Sequence, residues 1–320
     1  MKILHLESEN YPKEAMDMLS EIGDIDIFKC KSHSDLVKIL ELNHYEIVIL
    51  SIGSFFDSKC FQLQKKLKFL VSPTTGLNHI DLILAKKNNV KIISLKGEYD
   101  FLSNIKSTAE HTWALLLTVI KKVNLASSLT SSGIWDRDKI LPNDELDNKN
   151  LGIIGFGRLA KIVLKYAESF NMKVFANDID DEKFDLDHLK YKHSLRTVLT
   201  KSDYLLLMIS YKESNINFMN SEKFSIMKDQ SYFINTSRGE MVNENDLLEN
   251  LKSGKLKGAA LDVLHNDSNW SQNIEGSHDL INYSKEHNNL IITPHIGGYG
   301  NDSIRKTRIF IVKKLTRYII

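Results

Sequence analysis

A glycine-rich turn between an apolar segment and a helix constrains the fold of this chain more than any other feature. Residues 151–167 read LGIIGFGRLAKIVLKYA, with the turn Gly155-Phe156-Gly157-Arg158-Leu159-Ala160 at its centre. In a G-x-G-x-x-A turn, the first glycine permits a tight bend, the second lets the backbone approach a pyrophosphate, and the third small residue lets helix and strand pack closely. The free N–H groups of the helix then attract phosphate. Because any tight strand–helix turn can use glycines, the pattern alone is weak evidence.

An acidic residue after the next predicted strand strengthens this interpretation. The strand is Lys173–Asn177, and Asp178 follows it, 21 residues after Gly157. A carboxylate at this point accepts hydrogen bonds from the ribose 2′-hydroxyl and repels a 2′-phosphate. The alternative is that Asp178 caps a turn in the acidic loop 177–182. Turn, helix, strand and acid together predict that Gly155, Gly157 and Asp178 bind a dinucleotide, NAD rather than NADP.

Short apolar runs alternate with helical patterns along the chain. Runs of about five residues rich in Ile, Val and Leu are typical of parallel strands buried on both faces, and helices between them indicate crossovers. The sequence therefore predicts an α/β protein with two doubly wound parallel-sheet domains, which 320 residues can supply. The predicted strands are Lys2–Leu6, Glu46–Leu50, Leu67–Val71, Val90–Ser94, Leu151–Ile154, Lys173–Asn177, Tyr204–Ile209, Ser231–Asn235, Gly258–Asp262 and Asn289–Thr293.

Two longer helices are predicted outside this alternation. The first runs from Ser107 to about Leu125, with Ser107 and Glu110 in the form of a capping box, and the second covers about 302–318. The polar segments 127–150 and 265–287 are predicted to be a loop or arm and an irregular region, respectively.

Charge and cysteine content exclude several classes of protein. Lys and Arg number 42 against 41 Asp and Glu, and this balance argues against nucleic-acid and membrane partners. No stretch approaches the roughly 20 apolar residues that span a bilayer. The only cysteines, Cys30 and Cys60, make a disulfide framework improbable and exclude a CxxC metal site. We expect a cytoplasmic enzyme without a metal.

Polar residues follow three of the later strands. Arg238 follows 231–235, Asp267 follows 258–262, and His295 follows 289–293. Ligands of doubly wound sheets bind beyond the carboxyl ends of the strands, so these residues converge if the strands are neighbours. Arg can hold a carboxylate through two hydrogen bonds, His can exchange a proton near neutral pH, and a carboxylate can orient the imidazole. With a nicotinamide, this set would interconvert a 2-hydroxy acid and a 2-oxo acid. Each residue alone could instead be structural.

The segments GFGRLA, FINTSRGEMVNENDLLENLKSGKLKGAALDV and ITPHIGG resemble the D-isomer-specific 2-hydroxyacid dehydrogenase family, which contains phosphoglycerate, glycerate and D-lactate dehydrogenases. SPTTGLNHID and STAEHTWALLL match further segments, so the resemblance covers about residues 45–300. It implies a Rossmann NAD-binding domain, residues 106–297, and a smaller flavodoxin-like substrate domain, residues 1–105 plus 298–320. It also implies an NAD-dependent dehydrogenase that acts on the CH–OH group of D-2-hydroxy acids.

The resemblance assigns roles residue by residue. The family's catalytic Arg and His fall on Arg238 and His295, and its His-partnering Glu falls on Asp267. Asp is one methylene shorter, so it must approach His295 by a backbone shift or act through water; His265 is an alternative polar contributor. Further implied positions are Arg158 and Leu159 for the pyrophosphate, Thr236 and Ser237 for the nicotinamide ribose, Asp262 for the carboxamide, Thr75 for the cofactor, and Gly76, Leu77 and Asn78 for the substrate carboxylate.

The loop Ser51–Asp57 is the segment most informative about the substrate. It offers Ser54 as a substrate contact, with Phe55 and Phe56 either in the core or facing the substrate. If either phenylalanine faces the substrate, a non-phosphorylated, partly apolar 2-oxo acid is favoured.

Two alternatives stay open for function and one for assembly. The chain could be another oxidoreductase that shares only the Rossmann core, or a catalytically weak NAD-binding sensor or scaffold. The arm 127–150, with Trp135, suits the interface of a homodimer, but Trp135 could equally be buried in its own chain.

Overall fold

The chain forms two compact units in a computed structural model that describes residues 1–30, 32–50, 53–140, 142–267 and 277–319. Among these residues, the first unit comprises 1–105 and 299–319, and the second comprises 106–267 and 277–298. The chain therefore leaves the first unit after Ile105 and returns to it after Gly298.

The first unit is built on a five-stranded parallel sheet of order β2-β1-β3-β4-β5. This is the flavodoxin-like order, in which the chain reverses direction across the sheet next to β1. Successive residues of β1 alternate between two hydrophobic clusters, so that Ile3 packs on one face of the sheet and Leu4 on the other. Burial on both faces explains the continuous apolar runs. The strands are β1 Lys2–His5, β2 Asp24–Ile27, β3 Ile47–Ile49, β4 Phe69–Ser72 and β5 Lys91–Ser94.

The second unit is built on a six-stranded parallel sheet. Its order is β11-β10-β9-β8-β6-β7, which places β6 between β7 and β8, at the point where the chain changes direction across the sheet. The fold class predicted from the sequence, two doubly wound α/β domains, is confirmed. The strands are β6 Asn150–Ile154, β7 Lys173–Asn177, β8 Tyr204–Leu207, β9 Ser231–Asn235, β10 Leu256–Leu261 and β11 Leu290–Ile292.

Helices cover the faces of both sheets. In the second unit, Leu116 and Val163 lie in one hydrophobic cluster with the strand residue Ile153. In the first unit, Leu19 and Ile311 pack with Ile47. The helices are α1 Lys13–Ile22, α2 His33–Leu42, α3 Ser58–Leu63, α4 Leu82–Lys87, α5 Tyr99–Leu102, α6 Ser107–Lys121, α7 Val123–Ser131, α8 Arg158–Ser169, α9 Leu195–Lys201, α10 Ser221–Ile226, α11 Glu244–Lys252, α12 Asp279–Glu286 and α13 Asn301–Ile319.

The helix predicted from Ser107 to about Leu125 is two helices in the structure. Lys122 adopts a left-handed conformation (φ 54°) and separates α6 from α7, which continues through residues 127–131 of the predicted arm. The predicted capping box is wrong, because Ser107 is already the first helical residue and its hydroxyl donates to the carbonyl of Gly297 (2.8 Å).

Strand β2 and helix α12 were not predicted from the sequence. Strand β2, with the sequence DIDI, lies at an edge of the first sheet, where two of its four side chains are exposed and no long apolar run is needed. Helix α12 lies within the segment predicted to be irregular, where Leu280 and Tyr283 form its buried side. Of the helices in the described parts of the chain, none is long and apolar enough to cross a bilayer.

Candidate active site

The glycine-rich turn joins β6 to α8 at the carboxyl end of the second sheet. Gly155 has φ 94°, and a Cβ there would lie 2.7 Å from the carbonyl group of Met208, so a larger residue would be strained and would clash. Gly157 immediately precedes α8, and the space beside its Cα is open. Ala160 is buried where α8 packs on the sheet. The turn therefore has an open face at the start of a helix, as a pyrophosphate requires.

Asp178 holds this turn in place. One oxygen of its carboxylate accepts a hydrogen bond from the backbone N–H of Phe156 (2.7 Å), and the other accepts one from Asp180 (2.9 Å). The second bond is the turn cap that the sequence left open as an alternative. Each carboxylate oxygen can accept more than one hydrogen bond, so these contacts leave Asp178 able to bind a ribose hydroxyl.

The three strands that precede the predicted catalytic residues are neighbours. Asn235 of β9 pairs with Leu261 of β10, which pairs with Ile292 of β11. Arg238 and His295 each lie three residues beyond these paired positions, at the same edge of the sheet.

The loops after β9 and β10 are in direct contact at Gly239. A Cβ on Gly239 would lie 2.0 Å from the carbonyl carbon of Leu264, so the loop that carries Arg238 can pack there only because this residue is glycine. The Leu264 segment leads within three residues to Asp267. The half-buried Arg238 guanidinium donates to the carbonyl of Ser237 (2.7 Å).

His295 and Asp267 are hydrogen-bonded partners. Nδ1 of the imidazole lies 2.9 Å from Oδ2 of the carboxylate, and the two side chains are 32% and 11% exposed. The backbone of the acid's loop makes this contact possible, because Asn266 has φ 59° and the N–H of Asp267 donates to the carbonyl of Leu264 (3.1 Å). Asp267 thus reaches the imidazole directly, and His265 lies in the exposed part of the loop.

His295 itself is held in a left-handed conformation. Its φ is 54°, and its N–H lies 2.9 Å from the carbonyl oxygens of both Asp262 and Thr293. Residues other than glycine rarely adopt this conformation unless their surroundings impose it, and such residues concentrate at functional sites.

Asp262 organises the segment that carries His295. Its buried carboxylate accepts hydrogen bonds from the Thr293 hydroxyl (2.6 Å) and from the backbone N–H groups of Ile296 (2.9 Å) and Gly297 (2.7 Å), and it lies 3.1 Å from Nε2 of His111. Burial alone would raise the pKa of Asp262, but these hydrogen bonds outweigh it and hold the pKa below its usual range. The side chain predicted to meet the carboxamide is therefore occupied by contacts within the protein.

His111 was not singled out in the sequence. It lies on α6, and its Nε2 also lies 3.0 Å from the Thr293 hydroxyl. The available signal was a polar stripe of Thr108, His111 and Thr112 along this helix. The stripe faces the ends of β9 and β10, because the Thr112 hydroxyl also meets that of Thr236 (2.7 Å).

The two residues predicted to contact the nicotinamide ribose make hydrogen bonds to other residues of the protein. The Thr236 hydroxyl is paired with Thr112, and the Ser237 hydroxyl donates to the side chain of Asn235 (2.7 Å). Both residues lie directly after β9, at the edge of the sheet that carries the glycine-rich turn.

In the first unit, the predicted substrate contacts lie after β3 and β4. The turn that contains Gly76 is held by the Thr74 hydroxyl, which donates to the Gly76 carbonyl (2.7 Å) and meets the Ser72 hydroxyl (2.8 Å). Ser72 in turn contacts the buried His79 (2.9 Å). The remaining predicted contacts of this unit are exposed Thr75 and Asn78, half-buried Leu77 and buried Ser54.

Phe55 and Phe56 have different environments. Phe56 is fully buried in the core, whereas Phe55 is 42% exposed. Ser51 and Ile52, which begin the predicted specificity loop, lie outside the described residues.

A doubly wound sheet with a glycine-rich turn, and with an Arg and a His–carboxylate pair at its carboxyl edge, defines a nicotinamide-dependent oxidoreductase. Residues 113–297 match the family model described as D-isomer specific 2-hydroxyacid dehydrogenase, NAD binding domain. The chain belongs to this family, and it is an NAD-dependent dehydrogenase that acts on the CH–OH group of 2-hydroxy acids.

Relatives of this chain cover nearly its whole length. It is 29% identical over 305 residues to a hydroxypyruvate reductase from Thermotoga maritima, covering 95% of this chain and 94% of the relative. It is 25% identical to a glyoxylate reductase from Pyrococcus furiosus, covering 89% and 83%. The structure of a D-lactate dehydrogenase from Aquifex aeolicus, complexed with NAD and lactic acid, is similar with a TM-score of 0.83 at 25% identity, covering 100% and 95%.

Proposed function

We propose that this enzyme interconverts a D-2-hydroxy acid and its 2-oxo acid, with His295 as the proton donor and acceptor. The observation that carries the proposal is the 2.9 Å contact between His295 and Asp267 at the edge shared by β9, β10 and β11. The D-specificity comes from the family alone.

His295 and Arg238 would have different roles in the reaction. His295 gives a proton from Nε2 to the carbonyl oxygen of the 2-oxo acid, while Nδ1 stays bonded to Asp267, whose negative charge stabilises the imidazolium. Arg238 holds the substrate carboxylate through two parallel hydrogen bonds and so fixes the orientation of the reacting carbon. In the first unit, the proposed substrate contacts are the backbone of Gly76, Leu77 and Asn78 and the side chain of Ser54.

The cofactor would be held by the glycine-rich turn and the edge beside it. Bound NADH would supply the hydride that reduces the 2-oxo acid. The open face of Gly157 and the first N–H groups of α8, at Arg158 and Leu159, bind the pyrophosphate, and Asp178 favours a ribose without a 2′-phosphate. Thr75, Thr236 and Ser237 complete the proposed contacts, and the carboxylate of Asp262, already bonded within the protein, would act by positioning the His295 segment.

The substrate we favour is a small, non-phosphorylated 2-oxo acid. Phe55 is 42% exposed in the loop after β3, and an apolar side chain there suits a substrate without a second strong charge. Hydroxypyruvate and glyoxylate, which appear in the names of the relatives described above, belong to this class.

The test is reduction of a panel of 2-oxo acids by NADH, with glyoxylate, hydroxypyruvate, pyruvate and a phosphorylated hydroxypyruvate. We expect turnover of the unphosphorylated acids, a loss of about 1000-fold in His295→Ala, and a rise of about 10- to 100-fold in the KM of Arg238→Lys, which keeps the charge but loses the planar fork. His265→Ala is the matched control and should keep its activity. If NADH binds tightly but no acid turns over, or if both histidine variants lose activity equally, the proposal is wrong.

The replacement of the family's Glu by Asp at position 267 is one reason for the alternative, a catalytically weak NAD-binding sensor or scaffold. The direct contact of Asp267 with His295 argues against that reason, because the shorter acid still reaches the imidazole.

We also propose that two copies pair through the arm 127–150. Trp135 is 91% exposed in its own chain, so the alternative of its burial there is wrong. A tryptophan exposed to that extent is characteristic of an interface. Sedimentation should give a dimer for the native chain and a larger monomer fraction for Trp135→Ser; an unchanged dimer would rule out this surface.

A further inference from the structure

Three side chains with metal-binding atoms meet in the first unit, beside the loop that carries Ser54 and Phe55. They are His33, the first residue of α2, Asp57, which caps α3, and Cys60 on α3. One nitrogen, one carboxylate oxygen and the sulfur lie within 4.8 Å of one another. His33 and Asp57 are partly accessible to solvent, whereas Cys60 is buried.

We propose that His33, Asp57 and Cys60 bind one divalent zinc ion. The zinc would take no part in the hydride or proton transfer, and its role would be to stabilise the structure of the first unit.

The orientation of His33 is the first argument. Its Nδ1 lies 3.1 Å from the backbone carbonyl oxygen of Phe55, so that nitrogen carries a hydrogen and donates it. Histidines that bind metals usually donate their other ring N–H in this way, which fixes the tautomer and directs the free nitrogen to the ion. In this tautomer the Nε2 lone pair faces Asp57 Oδ2 at 3.2 Å, so two acceptors oppose each other unless a proton or a cation lies between them.

The second argument is the arrangement of Asp57 and Cys60. Oδ1 of Asp57 accepts hydrogen bonds from the N–H groups of Lys59 (3.0 Å) and Cys60 (3.1 Å), which leaves Oδ2 directed at His33. The Cys60 sulfur lies 4.0 Å from the Phe55 carbonyl oxygen. Residues 55–60 thus supply two of the ligands and the carbonyl that orients the third.

Zinc fits this donor set better than the hard cations. A thiolate and an imidazole favour zinc over calcium or magnesium, and three protein ligands with one water form a common tetrahedral site. With zinc–ligand bonds of about 2.0–2.3 Å, ligand atoms lie roughly 3.3–3.7 Å apart. The three donor atoms lie within 4.8 Å of one another, so the widest pair must come closer by up to about 1 Å when zinc binds.

Binding must release protons. Burial raises the pKa of the Cys60 thiol to about 12, so the thiol is protonated at neutral pH and gives its proton to the solvent as the Zn–S bond forms. Zinc would then join the start of α2 to the loop before α3 and stabilise the first unit, because a metal that binds only the folded state favours that state.

Cobalt(II) titration of the metal-stripped protein tests the proposal, since thiolate-bound cobalt has a near-ultraviolet charge-transfer band and tetrahedral cobalt has strong visible bands. We expect one equivalent to produce both bands, zinc to displace it, and zinc to raise the Tm. Cys60→Ala should abolish the charge-transfer band, and the control Cys30→Ala, which removes the other free thiol, should retain it.

Two further variants separate ligation from folding. Asp57→Asn keeps a good helix cap but removes the charge, and His33→Gln removes the ring; each should weaken zinc affinity at least 10-fold while the Tm without metal changes little. A band that is absent from the native protein, that persists in Cys60→Ala, or that disappears only in Cys30→Ala would overturn the site. Equal zinc affinity in native protein, Asp57→Asn and His33→Gln would do so too.

Discussion

The contact between His295 and Asp267 depends on the backbone of the loop that carries the acid. The left-handed conformation of Asn266 (φ 59°) turns the chain, so that Asp267 Oδ2 comes within 2.9 Å of the imidazole. A side chain one methylene shorter than glutamate can make the contact because the backbone supplies the missing reach. The loop conformation is therefore part of the site.

Asp267→Asn should lower kcat/KM for 2-oxo acid reduction by about 100-fold, because the amide keeps the shape but removes the charge that stabilises the imidazolium. Asp267→Glu retains a carboxylate and should stay within about 10-fold of the native enzyme if the loop adjusts. Steady-state kinetics with NADH measure both. Native-like activity in Asp267→Asn would show that His295 needs no acidic partner.

Asp262 should contribute to stability rather than to cofactor binding. In Asp262→Asn the amide NH2 replaces an oxygen and faces a backbone N–H of the same segment, so a buried donor loses its acceptor. We expect a loss of about 2–4 kcal/mol in the free energy of unfolding, measured in urea. The exposed Asp187→Asn is the control and should change stability by less than about 0.5 kcal/mol.

The stabilisation from Asp262 also has a defined pH dependence. Its folded-state pKa lies below the ordinary value of 3.8, so the contribution is fully present above that value and is lost as the pH falls through the lowered pKa. The difference between Asp262→Asn and the native protein should therefore be constant from pH 5 to pH 8. A difference that shrinks within that range contradicts the assignment.

At the scale of elements, the sequence predicted strands that are buried on both faces. It did not predict a helix break that depends on the backbone conformation of one residue. The bounds of β9 match the sequence prediction, because all five of its side chains are buried and a strand buried on both faces has an apolar centre. The break between α6 and α7 rests on one left-handed residue, Lys122, which leaves the apolar periodicity unchanged.

The same limit applies to the candidate site. Strand-end positions marked out His295 and Arg238, because the carboxyl ends of parallel strands share one edge. The contacts of His111 with Asp262 and Thr293 join residues 151 and 182 positions apart, and local patterns carry no information about such pairs.

The end of β1 carries a pH-dependent contribution to stability. His5 is fully buried, and burial lowers its pKa from 6.5 to about 4. Its Nδ1 accepts a hydrogen bond from the N–H of Glu7 (3.2 Å), which requires the unprotonated nitrogen. The unfolded chain therefore protonates His5 below pH 6.5, whereas the folded chain does so only below about pH 4. Stability falls as the pH falls between these two values.

His5→Gln should remove that dependence. Between pH 7 and pH 5 the native protein should lose about 2 kcal/mol more stability than His5→Gln, as urea unfolding followed by circular dichroism would measure. Burial raises the pKa of Glu7, an opposing effect that both proteins share, so their difference isolates His5. The exposed His44→Gln is the control and should behave like the native protein; equal losses in His5→Gln and native protein would contradict the burial argument.

At the scale of the molecule, helix α13 supplies part of the hydrophobic core of the first unit, far along the chain from the strands of that unit. Helix α13 packs on α1, β4 and β5 of that unit. Arg308 of α13 forms a buried ion pair with Glu7, 301 residues earlier. Lys314 donates to the carbonyl of Ser94 (2.8 Å), so the same helix also contacts the end of β5. A chain that stops before α13 would leave Ile311 and Leu315 missing from the core of the first unit.

The packing of α13 on the first unit should be most sensitive to changes in the ion pair of Arg308 and Glu7. Arg308→Met keeps much of the apolar stem but leaves Glu7 buried without its cation, and we expect a loss of about 3–5 kcal/mol in the free energy of unfolding. The double variant Glu7→Gln with Arg308→Met should recover part of this loss, because no buried charge remains. Lys313→Met, also on α13, breaks the exposed pair with Glu14 of α1 and should cost less than about 1 kcal/mol. A double variant no more stable than Arg308→Met would show that packing of the arginine stem, and not its charge, holds α13 in place.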